Sequence, residues 1–265
     1  MSFQLELHRL RRNLKKCLQK WGDTLRRILL SCEVMNKIPL LLLSGTMSDE
    51  RLWQHQTKHL APLADIHIPD LTQHSDIKEL ARAILKNAPD TFALAGFSMG
   101  GIIAQELLQQ APERVERLAL IGTSTGMPGP DKRKLFQTWH SASPEDFEQT
   151  LKTLPTWVHP SNKQVAPLIT QMGQDLGLEV FRRQGGILLT QRNDDPDLLR
   201  RFTRPTLIIH GENDPASSVE GNMYMADLFP KARRIMLSGC GHYASLEKPD
   251  TATALLSYWL QEKVD

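Results

Sequence analysis

A chain of 265 residues, 40% hydrophobic and 23% charged, has the proportions of an ordinary globular protein that buries its core without disulfides or structural metals, which excludes disordered and collagen-like classes. No run reaches 18 apolar residues and the longest, such as Ile38–Leu43, are strand-sized, so a membrane-spanning reading fails. The formal net charge of +2 hides an asymmetry: residues 1–34 carry eight basic against three acidic side chains, a net of +5, and residues 35–265 carry −3.

The first predicted element is a helix. Leu7, Leu10, Leu14, Leu18, Trp21, Leu25 and Ile28 recur at steps of three or four, the period of an amphipathic helix, on a basic background. Three readings of residues 1–34 compete: a helix docked on the domain or a partner, a membrane-surface or targeting segment, or residues preceding a native start at Met35. Glu6 and Asp23 count against a transit peptide, and the apolar core of a signal peptide is missing.

From Lys37 onward strands and helices alternate. Ile38–Leu43 predicts a strand, followed by Ser44-Gly45-Thr46 and a helix from about Asp49 to Leu60. Asp65–Ile68 is a short strand, and Ser75–Leu85 is helical, with Ile77, Leu80, Ala81, Ile84 and Leu85 on one face. Phe92–Ala95, Val115–Ile121, Thr206–Ile209 and Arg234–Leu237 supply further strands, with a helix over Ile102–Leu108. Apolar strands separated by helices are what a parallel sheet covered on both faces requires. The expected fold class is therefore α/β, a doubly wound, mostly parallel sheet occupying residues 35–265. Residues 123–203 break the rhythm with helical patterning (Leu135, Phe136, Trp139; Phe147, Leu151, Leu154; Leu168, Ile169, Met172) and no convincing strand, and read as a helical lid.

Gly96-Phe97-Ser98-Met99-Gly100 lies where a strand turns into a helix. A serine hydroxyl is a weak nucleophile that needs exposure, a base and an anion-stabilising site. Gly-x-Ser-x-Gly at a strand–helix junction forces a sharp turn that lifts the serine above the sheet, while the helix N-terminus offers free N–H groups for a developing oxyanion. The bland alternative is a glycine-rich turn with an incidental serine. Ser98 is the candidate nucleophile, and its partners should follow in the order acid, then His. An acid follows the strand Thr206–Ile209 in His210-Gly211-Glu212-Asn213-Asp214-Pro215, and His242 follows Arg234–Leu237. Loops at the carboxyl ends of parallel strands share one sheet edge, so Ser98, Asp214 and His242 can converge, with Glu212 an alternative acid.

Residues 37–262 resemble the α/β-hydrolase superfamily, in its serine-nucleophile branch. The resemblance is carried by Leu43-Ser44-Gly45-Thr46 with Trp53 beyond, by Gly96-Phe97-Ser98-Met99-Gly100-Gly101, by Gly211-Glu212-Asn213-Asp214 and by Gly241-His242. It implies Asp214 as triad acid, His242 as base, and the backbone N–H groups of Thr46 and Met99 as oxyanion donors. Two departures stand out. Ser44 replaces the usual His before the glycine, which leaves the backbone donor intact. Pro69-Asp70-Leu71-Thr72-Gln73-His74 replaces the usual glycine-rich, arginine-containing loop, which changes the pocket rim and hence the substrate.

Other candidates read as structural. His55 and His59 have the i, i+4 spacing of a metal pair, but no Glu lies between them and no third ligand follows, so a solvated helix face is expected. Asp194-Asp195 before Pro196 reads as a helix start, and His210 as structural. Cys17, Cys32 and Cys240 are odd in number and widely spaced, which argues against a disulfide framework and fits a reducing, cytoplasmic setting, with Cys240 a packing residue. With no Walker loop, dinucleotide fingerprint or basic stripe on the core, no cofactor, metal or nucleic-acid partner is expected.

The expectation is a hydrolase that cleaves an ester, thioester or related acyl bond of a small-molecule substrate through acyl-Ser98. Acyl transfer, or carbon–carbon bond hydrolysis or a lyase reaction on the same triad, stays open, as does a non-catalytic ligand-binding protein on the same scaffold. Trp139, Trp157, Phe147 and Met172 suggest an apolar pocket, but apolar periodicity in a helical lid is equally what packing needs.

Overall fold

Six parallel strands form one sheet in the order β2-β1-β3-β4-β5-β6: β1 Ile38–Leu43, β2 Ala64–His67, β3 Phe92–Phe97, β4 Val115–Ile121, β5 Thr206–Gly211 and β6 Ala232–Leu237. The structure, a computed structural model, describes residues 37–126, 128–189 and 195–264; the helix expected within residues 1–34 lies outside them. The doubly wound α/β expectation holds. β1 shows why: Leu40 to Leu43 are each at most 1% exposed. Burying one such side chain contributes about 1.5–3 kcal/mol, which only a sheet packed on both faces provides to consecutive residues.

Helices supply that cover. After β1 the chain makes a 3₁₀ turn at Glu50–Trp53 capped by Asp49, then helix α1 Gln54–Leu60, so the single helix expected from Asp49 is split in two. Helix α2 Ile77–Asn87 starts where the Asp76 carboxylate accepts the Lys78 and Glu79 N–H groups; Ile77, Leu80, Ala81 and Ile84 face inward. It stops just before Ala88-Pro89, because the residue preceding a proline is driven out of helical geometry. Helix α3 Met99–Gln110 follows β3 and packs against α2. Between β4 and β5 run α4 Pro130–His140, α5 Pro144–Thr153, α6 Ala166–Leu189 and α7 Pro196–Arg201, with no strand among the described residues. Ser143 and Asp146 start α5 as a reciprocal capping box, and Asp195 caps α7, as its place before Pro196 suggests. Helix α8 Val219–Leu228 separates β5 from β6, and α9 Ala244–Glu247 leads into α10 Pro249–Leu260, which packs on α1.

Strand limits shift in two informative places. β3 continues to Phe97, so Ser98 is the first residue past the strand. β6 begins at Ala232, two residues earlier than expected, because an edge strand exposed along one side tolerates Arg233 and Arg234. No helix among the described residues is long and apolar enough to cross a membrane.

Register determines the rest. Leu43 lies opposite Gly96, Phe97 opposite Ile121, Ile121 opposite Ile209 and Gly211 opposite Leu237. The loops that follow β1, β3, β5 and β6 therefore emerge along one edge of the sheet.

Candidate active site

Ser98 has φ +52° and ψ −116°, a strained conformation at the first position beyond β3. Two glycines make it possible. A Cβ at Gly96 would come within 2.3 Å of the Gly100 carbonyl oxygen, and one at Gly100 within 2.2 Å of the Leu43 oxygen. The turn is held from both sides: Ser98 N–H donates to the Ile121 carbonyl at 2.9 Å, and Thr123 Oγ1 donates to the Ser98 carbonyl at 2.9 Å. Strain of this kind costs about 1–3 kcal/mol and persists where the surroundings over-determine it. The side chain is left partly exposed.

His242 is buried, with Nε2 3.0 Å from Ser98 Oγ and Nδ1 2.9 Å from Asp214 Oδ2. An ionised carboxylate only accepts, so Nδ1 carries the proton and donates to Asp214 while the bare Nε2 accepts from Ser98. The imidazole is packed rather than loose: the Phe97 ring lies 4.8 Å away, Trp157 meets it edge-on at 5.4 Å, and its backbone N–H donates to the Trp157 carbonyl at 2.9 Å.

Asp214 is fully buried and takes further hydrogen bonds from Ala216 N–H at 2.7 Å, Ser217 N–H at 3.2 Å and Ser217 Oγ at 2.9 Å. Burial pushes its carboxyl upward. The attraction of His242 and the hydrogen bonds from His242, Ala216 and Ser217 outweigh that and hold it below the ordinary aspartate value. Glu212, the alternative acid, instead accepts from Ser238 Oγ at 2.8 Å on the surface. His210 is fully buried, 3.4 Å from Ser217 Oγ, and burial lowers its pKa. Burial, reinforced by Glu247, pushes the Cys240 thiol up to about 12, so it is not a thiolate at neutral pH.

Opposite Ser98, residues Gly45 to Ser48 form a turn closed by Ser48 N–H donating to the Gly45 carbonyl at 3.2 Å. Among the described residues no hydrogen bond occupies the Thr46 N–H. Thr46 and Met99 line the same cavity as Ser98 and His242, a space of about 600 Å³. Its walls include Phe136, Trp139, Trp157 and Leu188, with Thr123, Ser217 and Lys132 as polar elements. Of the four side chains expected to form an apolar pocket, Trp139 and Trp157 line it. Phe147 and Met172 do not: Phe147 packs on Phe181 at 5.5 Å, and Met172 is fully buried in the core. The His55 and His59 rings stack 4.3 Å apart, with His55 engaged by Thr253 and Asp250.

Glu247 carries a role that the sequence does not signal. Its buried carboxylate accepts from Gly241 N–H at 2.9 Å and Tyr243 N–H at 3.0 Å, the two amides flanking His242. It also accepts from His159 N–H at 2.9 Å and Asn162 Nδ2 at 3.1 Å, in the segment between β4 and β5. Nothing in the spacing of a lone acid five residues past a His, at the end of a short helix, marks such a role. Nor does sequence point to Gln184: from the C-terminal part of α6, beyond the break at Gly177, its Oε1 accepts the Met47 N–H at 2.8 Å.

Comparison with known proteins agrees with this architecture. A model of the alpha/beta hydrolase family matches residues 40–254. The chain is 26% identical over 239 residues to a pimeloyl-[acyl-carrier protein] methyl ester esterase of Nitrosospira multiformis, covering 80% of this chain and 90% of the other. It is 25% identical to the protein of the same description from Legionella pneumophila, covering 84% and 95%. Among solved structures, a thermophilic esterase from Thermogutta terrifontis superposes with a TM-score of 0.75 at 21% identity, covering 84% of this chain and 89% of that one. An enol-lactonase from Burkholderia xenovorans superposes with a TM-score of 0.76 at 19% identity, covering 86% and 92%. Matched over most of its length by the family model and built on the same sheet, the chain belongs to the alpha/beta hydrolase family.

Proposed function

We propose that the protein is a serine hydrolase that cleaves carboxylic esters through an acyl-Ser98 intermediate. The observation that carries this reading is the unbroken hydrogen-bonded run from Ser98 Oγ through the His242 ring to a buried Asp214 carboxylate, opening onto a cavity of about 600 Å³. Relatives matched over 80% and 84% of this chain are described as pimeloyl-[acyl-carrier protein] methyl ester esterases, which supports ester hydrolysis and points to an alkyl ester of an acyl chain.

In this reading His242 Nε2 takes the Ser98 proton as Oγ attacks the ester carbonyl. The N–H groups of Thr46 and Met99 stabilise the resulting oxyanion, and His242 returns the proton to the departing alkoxide. Water, deprotonated by the same nitrogen, then attacks the acyl-enzyme; the acid leaves and Ser98 regains its proton. Asp214 holds the tautomer and stabilises the imidazolium throughout. The helices between β4 and β5 act as a lid whose aromatic residues Phe136, Trp139 and Trp157 receive the acyl chain.

A fluorophosphonate probe tests this directly. Wild type should be labelled and should hydrolyse nitrophenyl esters, and Ser98→Ala should do neither. An unlabelled, inactive wild type with its fold intact removes the proposal. A series of nitrophenyl esters and acyl thioesters then defines chain length and leaving group.

A further inference from the structure

The turn at Gly45–Ser48 has an unusual third residue. Met47 sits at φ +52° and, with Ser98, is one of two non-glycine residues of positive φ among those described. Thr46 has negative φ, so the turn is of type II, whose third position is ordinarily glycine or asparagine. A long side chain there is strained and persists only where its surroundings hold the turn. Met47 is 1% exposed and cannot turn its N–H to water. The partner comes from 137 residues away in sequence, where Gln184, itself 1% exposed, presents Oε1 at 2.8 Å.

Helix α6 delivers Gln184 to this place by close packing. The two residues that follow it are glycines, and a Cβ would come within 2.5 Å of the His140 backbone nitrogen at Gly185 and 2.9 Å of the Ser75 oxygen at Gly186. On the other side of a break at Gly177, α6 also meets the segment after β1 through Asp175, which pairs with Arg51 at 2.7 Å on the surface.

We propose that Gln184 is a positioning residue for the oxyanion-binding loop: by accepting the Met47 N–H it fixes the left-handed turn and so aims the adjoining Thr46 N–H at the reacting carbonyl oxygen. The inference rests on the acyl-serine reading above. It makes the lid part of the catalytic scaffold, because the oxyanion donor keeps its direction only while α6 stays docked. Without the acceptor, a buried N–H is left unsatisfied beside a strained turn, and the turn relaxes. Loss of one oxyanion donor slows catalysis about 10²–10³-fold, and misaiming a retained donor should cost part of that.

The test compares Gln184→Met, which keeps the shape and removes the acceptor, with Arg51→Ala, which breaks the surface lid contact together with the Arg51–Asp49 pair and leaves Met47 bonded. Gln184→Met should lower kcat about 10- to 100-fold with KM within about two-fold. It should weaken a boronic acid that forms a tetrahedral adduct on Ser98 in the same proportion, while Arg51→Ala stays within two-fold of wild type. Hydrogen exchange of the peptide spanning residues 44–49 should quicken in Gln184→Met. Gln184→Leu provides the same comparison if the methionine variant fails to fold. Wild-type kcat in either Gln184 variant, a kcat loss without weaker boronate binding, or an equal loss in Arg51→Ala overturns the proposal. A wild type that neither labels nor turns over fails the serine-hydrolase reading itself, and this inference with it.

Discussion

The carboxylate of Glu247 spans His242, accepting the backbone N–H of Gly241 on one oxygen and that of Tyr243 on the other. The same carboxylate accepts the His159 N–H and Asn162 Nδ2, so one buried acid joins the histidine loop to the helices that cover the cavity. Hydrogen bonds to charged groups contribute about 1.5–3 kcal/mol each, so this acid is a main determinant of where the imidazole sits.

Glu247→Gln should therefore lower both stability and turnover. An amide of the same shape has one acceptor oxygen, and its NH₂ would face backbone donors. A loss of about 2–4 kcal/mol in unfolding free energy is expected, with a kcat decrease larger than the change in KM. Thermal melts with ester kinetics check both, and unchanged values in the two would remove Glu247 from its assigned role.

The two acids of the Gly211–Asp214 turn should separate cleanly. Asp214→Asn leaves the geometry but removes the charge that selects the Nδ1–H tautomer; a drop of about 10⁴ in kcat is expected. Glu212→Gln, altering only a surface contact with Ser238, should stay within a few-fold. Comparable losses in both variants would mean the acid has been misassigned.

His210 should impose a pH dependence on stability. Burial, acting against the attraction of Asp214, lowers its folded pKa below 6.5. Between the two values the unfolded chain binds a proton that the folded chain does not, so stability falls as pH drops below about 6.5, by up to ~1.4 kcal/mol per pH unit. His210→Gln abolishes that difference. Its melting temperature should fall less than that of wild type between pH 7 and pH 5, and parallel curves would contradict the stated burial effect.

Leu188 lines the cavity from α6. Leu188→Trp should fill acyl space, lowering kcat/KM for octanoyl esters at least tenfold more than for acetyl esters, a change of about 1.4 kcal/mol or greater. Labelling by a small fluorophosphonate should stay near the wild-type rate. A uniform decrease across chain lengths would place Leu188 away from the acyl chain.

Much of the fold was legible in the sequence because its signals are local. Ile38–Leu43 is too uniformly apolar for anything except a buried parallel strand, and Val115–Ile121 reads the same way from Leu118 to Ile121, after Glu116 and Arg117 near its start. The Gly96–Gly100 pattern can be read because glycine is demanded by contacts within a few residues and with the neighbouring strand. β6 was less clear, since an edge strand need not be apolar on its open side. Phe147 and Met172 take the packing role and Trp139 and Trp157 the pocket role, a choice the sequence leaves open because helical periodicity gives the same apolar spacing to a face that packs and a face that lines a cavity.

Ser98, Asp214 and His242 could be named from sequence because each follows a strand, and strands in a parallel sheet end at a common edge. The sequence by itself determined the strand–helix alternation, the strained serine turn and the order of the three residues, all consequences of short-range sterics and hydrophobic period. Only the tertiary structure decided that His242 meets Asp214 rather than Glu212, that Glu247 brackets the histidine, and that Gln184 reaches Met47 across 137 residues. These are single hydrogen bonds between side chains and distant backbone, and nothing in residue type or spacing encodes a partner that only packing brings within 3 Å.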